Sequence, residues 1–296
     1  MARILATGIV TLDHTFDVEA YPAEDDEVRA LASTTQPGGN ATNTAAILAQ
    51  LGHRPGLAAV MAAGATGDVL MDQLKARGLD LRHCVRRPGT TPTSHILRSR
   101  ATGSRTIVHH RDLPELATAD VAAVPWPEYD WLHFEGRNPE ALASILRAAR
   151  DSIFDQPLSL ELEKSRPGLE ACLDYADVLM LSRDWAADIA DSPEAALKHL
   201  AAQFPDRILT VTAGSAGAWM ATHGAIYHCA PISGLRVVDS VGAGDTFNAG
   251  LIHALVSGQP PEQALTTAVR LAERKLAQVG FEGLAAEASD PGAWPG

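Results

Sequence analysis

Short apolar runs alternate with helical segments along most of this chain, and this alternation constrains the fold more than any other feature. Runs bounded by turn residues lie at 4–7, 56–61, 131–134, 158–162, 178–181 and 208–212. Helical patterns lie between and after them, at 42–51, 69–77, 139–150, 168–175, 194–203, 245–256 and 262–279. Parallel strands need a long crossover, which is usually a helix. The sequence therefore predicts an α/β fold, in which helices cover both faces of a central, mainly parallel sheet.

The size and charge of the chain narrow its possible partners. With 296 residues, 46% of them hydrophobic, the chain can bury the core of one large domain, and we expect residues 1–296 to form that single domain. Its 24 basic and 36 acidic residues give a net charge of −12. Nucleic acids and anionic membranes attract basic surfaces, so we expect neither as a partner. Nucleotides remain possible, because backbone N–H groups can bind their phosphates.

The cysteines and apolar stretches indicate the cellular compartment. Three cysteines without a Cys-x-x-Cys pair make a poor disulfide framework, which is typical of a reducing environment. The first residues lack the long apolar run of a signal peptide. The longest charge-free stretch, 208–235, is interrupted by glycines and a proline, which argues against a membrane span. We therefore expect a cytoplasmic protein.

Two segments, 15–34 and 93–110, interrupt the alternation. The second contains two β-like pieces around Gly103, which indicates a hairpin, and the first contains two β-like pieces around the acidic YPAEDDE. We interpret both as one small sheet, a lid of roughly 14–35 and 92–111 that projects from the main body. Surface hairpins without a role are the alternative, because insertions over active sites are often, not always, functional.

The most informative motif is VVDSVGAGDTF at 237–247. It predicts a strand, a glycine-rich turn and a helix that begins at about Asp245. Free N–H groups and the helix dipole at such a turn suit an anion, and a carboxylate beside them points to phosphoryl transfer. Asp245 alone could be a helix cap, but the glycines around Ala243 also allow a ligand close to the backbone. The motif is neither a P-loop nor a dinucleotide fingerprint, since Phe247 occupies the third glycine position of the latter.

Two other motifs carry polar groups near predicted helix or strand ends. In PGGNATN at 37–43, Asn40 and Asn43 are three residues apart and could face one ligand, although Asn40 could instead be a helix cap. Asp13, just after the first predicted strand, would add a carboxylate at the edge where open α/β sheets bind ligands. TAGSAG at 212–217 is a weaker signal, because glycine turns after strands are common.

These three motifs, in this order and spacing, resemble the ribokinase-type (PfkB) sugar kinases, and the resemblance runs from residue 4 to about 284. Within that family the chain is most similar to the ketohexokinases (fructokinases), on six further stretches: YPAEDDEVR at 21–29, RTIVHH at 105–110, WLHFEGRN at 131–138, LELEKSRPGLE at 160–170, LSRDWA at 181–186 and VGFEGL at 279–284. The resemblance implies a ribokinase-like fold with a β-sheet lid, ATP and Mg²⁺ as cofactors, and a homodimer formed through the lid.

The resemblance also implies roles for individual residues. Asp245 would be the catalytic base, and the amides of Gly242, Ala243 and Gly244 would form the anion hole. The residues implied to bind the sugar are Asp13, Gly39, Asn40, Asn43 and Arg105. Those implied to border the nucleotide are Gly214, Gly217 and Gly283.

One departure from the family pattern concerns the metal. Many members carry Asn-x-x-Glu after the strand that ends near residue 181, where this chain has Ser182-Arg183-Asp184. The carboxylate that organises Mg²⁺ is therefore left open among Glu161, Glu163 and Asp184. The tail, 285–296, has no assigned role and is expected to be a solvated end.

The resulting hypothesis is an ATP-dependent sugar kinase that phosphorylates the 1-hydroxyl of a ketohexose, with fructose first. A kinase of the same fold for ribose, a nucleoside or 2-keto-3-deoxygluconate is one alternative. A non-catalytic sugar-binding relative is another, which the intact GAGD motif at 242–245 disfavours.

Overall fold

An eight-stranded sheet runs through the middle of this computed structural model, which describes residues 1–285. Its strands in spatial order are β14 (Ala225–Cys229), β13 (Ala218–Thr222), β12 (Ile208–Thr212), β11 (Val178–Ser182), β10 (Leu158–Leu162), β9 (Trp131–Glu135), β1 (Arg3–Thr7) and β4 (Arg54–Ala58). The strands from β12 to β4 are parallel, and β13 and β14 add an antiparallel edge. The predicted mainly parallel sheet is confirmed.

Helices pack on both faces of this sheet. One face carries α1 (Asn40–Gln50), α6 (Ala243–Val256) and α7 (Pro261–Leu276), and the other carries α3 (Pro139–Ser152) and α5 (Pro193–Gln203). Successive side chains of a strand point to opposite faces, so Ile4 packs into the first of these cores and Leu5 into the second. Two further helices, α2 (Ala65–Ala76) and α4 (Arg183–Ala187), complete the α-helices of the described residues.

Several element boundaries differ from the prediction. The run at 56–61 is divided between β4 and β5 (Val60–Ala62), and β5 pairs with β6 (Val85–Arg87) in a two-stranded sheet. The segment predicted as a helix at 168–175 is a 3₁₀ helix, Leu169–Tyr175. Helix α7 ends at Leu276 rather than 279.

No strand forms at 237–238, contrary to the prediction. Val237 and Val238 are 45% and 39% exposed, and the Val238 amide donates to the carbonyl of Leu276 at 2.7 Å instead of to a neighbouring strand. An apolar pair of this length is too short to distinguish a strand from a loop that crosses a helix end. The loop instead leads directly into α6, which begins at Ala243 rather than at Asp245.

The two interrupting segments form a four-stranded sheet, which we call the lid. Its strands in spatial order are β3 (Ala32–Gly38), β2 (Thr11–Val18), β7 (Thr93–Ser99) and β8 (Arg105–His110). The predicted small sheet is thus confirmed, although its strands extend beyond 14–35, to Thr11 and Gly38. Asp13 therefore lies inside a lid strand. The prediction that it directly follows the first strand of the main sheet is wrong in this respect.

Within residues 1–285, none of the helices has the length and apolar character needed to cross a bilayer. The prediction of a solvated tail at 285–296 lies, apart from Ala285, outside the described residues.

Candidate functional site

Asp245 lies in the first turn of α6, and its side chain is 6% exposed. The Asn43 side chain, in the first turn of α1, donates a hydrogen bond from Nδ2 to Asp245 Oδ2 at 2.7 Å. Thr44 Oγ1 donates to the main-chain oxygen of Asp245 at 3.3 Å. The amino ends of two helices are thus joined at this carboxylate, and residues that are far apart in the sequence meet there.

The pKa of Asp245 is raised to about 8, because burial disfavours the charged carboxylate. The hydrogen bond from Asn43 acts in the opposite direction and lowers the pKa, while the charges of Glu163, Glu135 and Asp13 raise it further. A buried carboxylate with a pKa near neutrality is suited to accept a proton from an alcohol.

Asn40 and Asn43 bind different carboxylates. Asn40 Nδ2 donates to Glu161 Oε1 at 3.1 Å and to Glu163 Oε2 at 3.3 Å. The alternative in which Asn40 caps the helix does not hold, because Gly39 occupies the cap position and Asn40 is the first helical residue. The other amide atom of Asn43, Oδ1, is buried without a partner among the described residues, so a ligand hydroxyl could donate to it.

Asp13 faces the same region from the lid. Thr11 Oγ1 donates to Asp13 Oδ1 at 2.7 Å, and burial raises the pKa of this carboxyl. Gly38 lies on the neighbouring strand β3, where it pairs with Thr11, and a Cβ there would be 2.0 Å from Asp13 Oδ2. Gly38 therefore leaves the space that the Asp13 carboxylate occupies.

Glu135, at the end of β9, was not predicted as a site residue. Its Oε2 accepts hydrogen bonds from the amides of Ile9 at 3.1 Å and Ala41 at 3.4 Å, and Arg137 Nη1 donates to its Oε1 at 3.3 Å. These bonds fix the loop after β1 to the start of α1. One signal in the sequence could have identified it: Glu135 is a charged residue at the end of the apolar run WLHFE. The end of a strand in a parallel sheet lies at the edge where ligands bind.

Two of the three candidate metal residues lie together and one lies apart. Glu161 and Glu163 share the Asn40 amide, whereas the Asp184 side chain is 83% exposed and pairs with its neighbour Arg183. Burial raises the pKa of Glu161 well above its usual range, and the charge of Asp245 adds to this rise. Glu161 Oε2 is buried and has no partner within residues 1–285, so the donor set here fits a cation and its bound water. The described residues do not, however, contain a ready-made cluster of three or more metal-binding side chains.

The loop before α6 exposes its main chain. Gly242 is the cap residue of the helix with φ 76°, and a Cβ there would be 2.2 Å from Cζ of Phe281. Gly244 is exposed, and a Cβ there would have no atom within 4 Å. The first N–H groups of a helix have no partner within it, so those of Gly242, Ala243 and Gly244 lie where an anion could bind.

Arg105 reaches this loop from the lid. Its Nη1 donates to Ser240 Oγ at 2.8 Å and to the Ser240 carbonyl at 3.3 Å. The predicted nucleotide-bordering glycines lie elsewhere: Gly214 and Gly217 flank a 3₁₀ turn after β12, and Gly283 follows α7. The role of these three glycines beside the nucleotide stays a prediction.

Comparisons with known proteins agree with this geometry. The model of the pfkB family of carbohydrate kinases matches residues 1–283. Ketohexokinase of Mus musculus is 33% identical over 293 residues, which cover 95% of this chain and 98% of that protein. The ATP-dependent ribose-1-phosphate kinase of Halopiger xanaduensis is 29% identical over 281 residues, which cover 90% of this chain and 88% of that protein. The structure of Arabidopsis thaliana ribokinase complexed with ribose and ATP has a TM-score of 0.76 at 20% identity, and covers 94% of both chains.

Proposed function

Because the chain belongs to the pfkB family of carbohydrate kinases, we propose that it transfers the γ-phosphoryl group of ATP to the 1-hydroxyl of a ketohexose, fructose first. The family makes the chain an ATP-dependent sugar phosphotransferase, and the ribokinase-like fold is confirmed by the solved relative. The similarity to ketohexokinase along nearly the whole chain supports the choice of sugar. The observation that carries the reaction is the buried Asp245 carboxylate at the start of α6, held by Asn43.

In the proposed reaction, Asp245 accepts the proton of the sugar hydroxyl as its oxygen attacks the γ-phosphorus and the bond to the β–γ bridging oxygen breaks. Asn43 orients the carboxylate through its 2.7 Å hydrogen bond, which leaves the second carboxylate oxygen for the substrate. The amides of Gly242, Ala243 and Gly244 stabilise the charge on the transferred phosphoryl oxygens. Such positioning and electrostatic stabilisation supply most of the rate in phosphoryl transfer.

Glu161 and Glu163 would hold Mg²⁺ through water, and the ion would neutralise charge on the ATP phosphates. The unpartnered Glu161 Oε2 supports this assignment, and the exposure of Asp184 disfavours it as the organising carboxylate. Asp13, Gly39 and Asn40 would contact the sugar hydroxyls, and Gly214, Gly217 and Gly283 would border the nucleotide.

We also propose that two copies of the chain associate through the lid. Strand β8 is an edge strand with all residues exposed, including Ile107 (48%) and Val108 (65%). Unpaired edges and exposed apolar side chains favour association. A monomeric mass in solution at micromolar concentration would contradict a dimer.

The sugar assignment predicts a substrate order. ADP release should be measured with fructose, ribose, ribose 1-phosphate, a nucleoside and 2-keto-3-deoxygluconate, each with Mg²⁺ and ATP. We expect the highest kcat/KM for fructose, with phosphorus NMR showing phosphate on the 1-oxygen. A higher kcat/KM for ribose would favour the second candidate, which the ribokinase fold supports. Sugar binding by calorimetry without ADP release would favour a non-catalytic relative.

The raised pKa of Asp245 predicts a pH dependence. Only the ionised carboxylate accepts a proton, so kcat/KM should rise with pH until about 8 and fall about tenfold per pH unit well below that value. The Glu163→Gln variant removes a like charge that raises this pKa, and should therefore move the acidic limb to lower pH. The measurement is kcat/KM of both proteins from about pH 5.5 to 9.5. A wild-type profile that is flat across this range would contradict the assignment.

A further inference from the structure

A buried arginine joins the lid to the main body. Arg98, on β7, is 8% exposed and binds Asp17 of the neighbouring strand β2 through two hydrogen bonds, from Nε to Oδ1 at 2.7 Å and from Nη2 to Oδ2 at 2.8 Å. Its remaining nitrogen, Nη1, lies 3.1 Å from Oδ2 of Asp239. Asp239 belongs to the main body, in the loop that leads to the helix of Asp245. One guanidinium thus bridges two carboxylates, one in the lid and one in the body.

Asp239 also accepts hydrogen bonds from several groups of the main body. Lys275 of α7, which is fully buried, donates from Nζ to Asp239 Oδ2 at 2.9 Å and to its carbonyl at 3.2 Å. The amide of Val241 donates to Oδ1 at 3.0 Å, and that of Gly280 donates to Oδ2 at 3.2 Å. Burial raises the pKa of Asp239, but the bond and charge of Lys275 outweigh it and hold the pKa below its usual range. None of these contacts involves a lid residue.

The bond from Arg98 is the part of this network that depends on the lid. Asp17 and Arg98 lie on adjacent lid strands, so they move together and Asp17 keeps the guanidinium oriented. If Arg98 separates from Asp239, Asp17 still neutralises Arg98 and Lys275 still neutralises Asp239. Separation therefore leaves no buried charge without a partner. The closed arrangement adds a charge-assisted hydrogen bond in a buried location, where such bonds are strong.

We propose that Arg98 is a positioning residue that fastens the lid to the phosphate loop, residues 239–244, through Asp239. The Arg98–Asp239 ion pair then links enclosure of the sugar by the lid to the position of the loop that carries the Gly242–Gly244 amides. Arg105 also joins the lid to this loop, but its bond to Ser240 is more exposed and its partner is an uncharged hydroxyl. This inference rests on the proposed role of the loop as an anion hole.

The test compares Arg98→Met with Arg100→Met, which changes an exposed arginine directly after the same strand. Arg98→Met should raise the sugar KM and lower kcat so that kcat/KM falls by about 10-fold or more, a coupling of ordinary size between two sites. Arg98→Lys, which keeps one charge but cannot bridge both carboxylates, should fall between wild type and Arg98→Met. Arg100→Met should stay within twofold of wild type. Values for Arg98→Met within twofold of Arg100→Met would overturn the proposal.

Hydrogen exchange on the ligand-free proteins distinguishes two roles of Arg98: joining the lid to the phosphate loop, or stabilising the lid sheet only. Arg98→Met should speed exchange of amides in both 93–99 and 237–244, because the loop at 237–244 loses its ion pair with the lid. Faster exchange confined to 93–99 would show that Arg98 serves only the lid sheet, and would overturn the proposal. If Arg98→Met does not fold, Arg98→Lys decides by the same two measurements. Failure of the kinase assignment would appear separately, as the absence of ADP release from the wild-type protein with every sugar of the panel.

Discussion

Asp245→Asn is expected to lower kcat by about 10²–10⁴-fold, the usual contribution of a general base. The amide side chain has nearly the shape of the carboxylate but cannot accept the proton of the sugar hydroxyl. Its oxygen can still accept the hydrogen bond that Asn43 donates at 2.7 Å, so the sugar KM should change little. Steady-state kinetics with saturating ATP and the preferred sugar measure both values.

The control for Asp245→Asn is Asp155→Asn, an exposed carboxylate that should keep wild-type kinetics. Thermal unfolding provides a second control. Because burial raises the pKa of Asp245 from 3.8 to about 8, the ionised group costs stability above pH 3.8, and this cost is complete above pH 8. Asp245→Asn should therefore unfold no earlier than wild type at pH 8. Near-normal turnover in this stable variant would refute Asp245 as the base.

Gly242→Ala is expected to lower kcat by about 10²–10³-fold, the cost of removing one oxyanion donor. The new Cβ would be 2.2 Å from Cζ of Phe281, and the residue has φ 76°, where alanine is strained. The loop must shift to relieve the clash, and the amides of Gly242, Ala243 and Gly244 move with it. Since Asp245 itself is unchanged, the acidic limb of the pH profile should keep its position while kcat falls.

Gly258→Ala is the matched control for Gly242→Ala. Gly258 follows the other end of α6 with φ 77°, and a Cβ there meets no atom within 4 Å. It carries the same conformational cost without the collision. Both variants should lose a similar small amount of thermal stability from the backbone, and only Gly242→Ala should lose turnover. Equal kcat values for the two variants would contradict a role for the loop geometry.

The parallel sheet was predictable because its strands are buried on both faces and stand out as continuous apolar runs. The lid strand β2 was harder to predict, since its buried residues Thr11, Asp13 and Thr15 are polar, while Leu12 and Phe16 are half-exposed. These buried positions are polar rather than apolar, so hydrophobic alternation did not indicate a strand at Asp13. A strand that faces a ligand thus has the reverse of the usual pattern.

The candidate site was predictable where glycines and polar residues cluster in sequence, as at 38–43 and 242–245. The motifs indicated Asn43 and Asp245 separately, but their contact is set by the packing of α1 against α6, which no local pattern encodes. Glu135 and Arg98 were missed for the same reason. Each acts through partners from other elements, and each appears in the sequence as an isolated charge.

A single residue, Gly39, separates the last residue of lid strand β3 from the first residue of α1. No flexible connection is available there to absorb a tilt of the lid, so a tilt is passed on to the helix that presents Asn43 to the base. Sugar capture and the hydrogen bond to the base are consequently linked through one continuous stretch of chain, 11–50. Sequence changes within that stretch should therefore alter substrate affinity and pH optimum together.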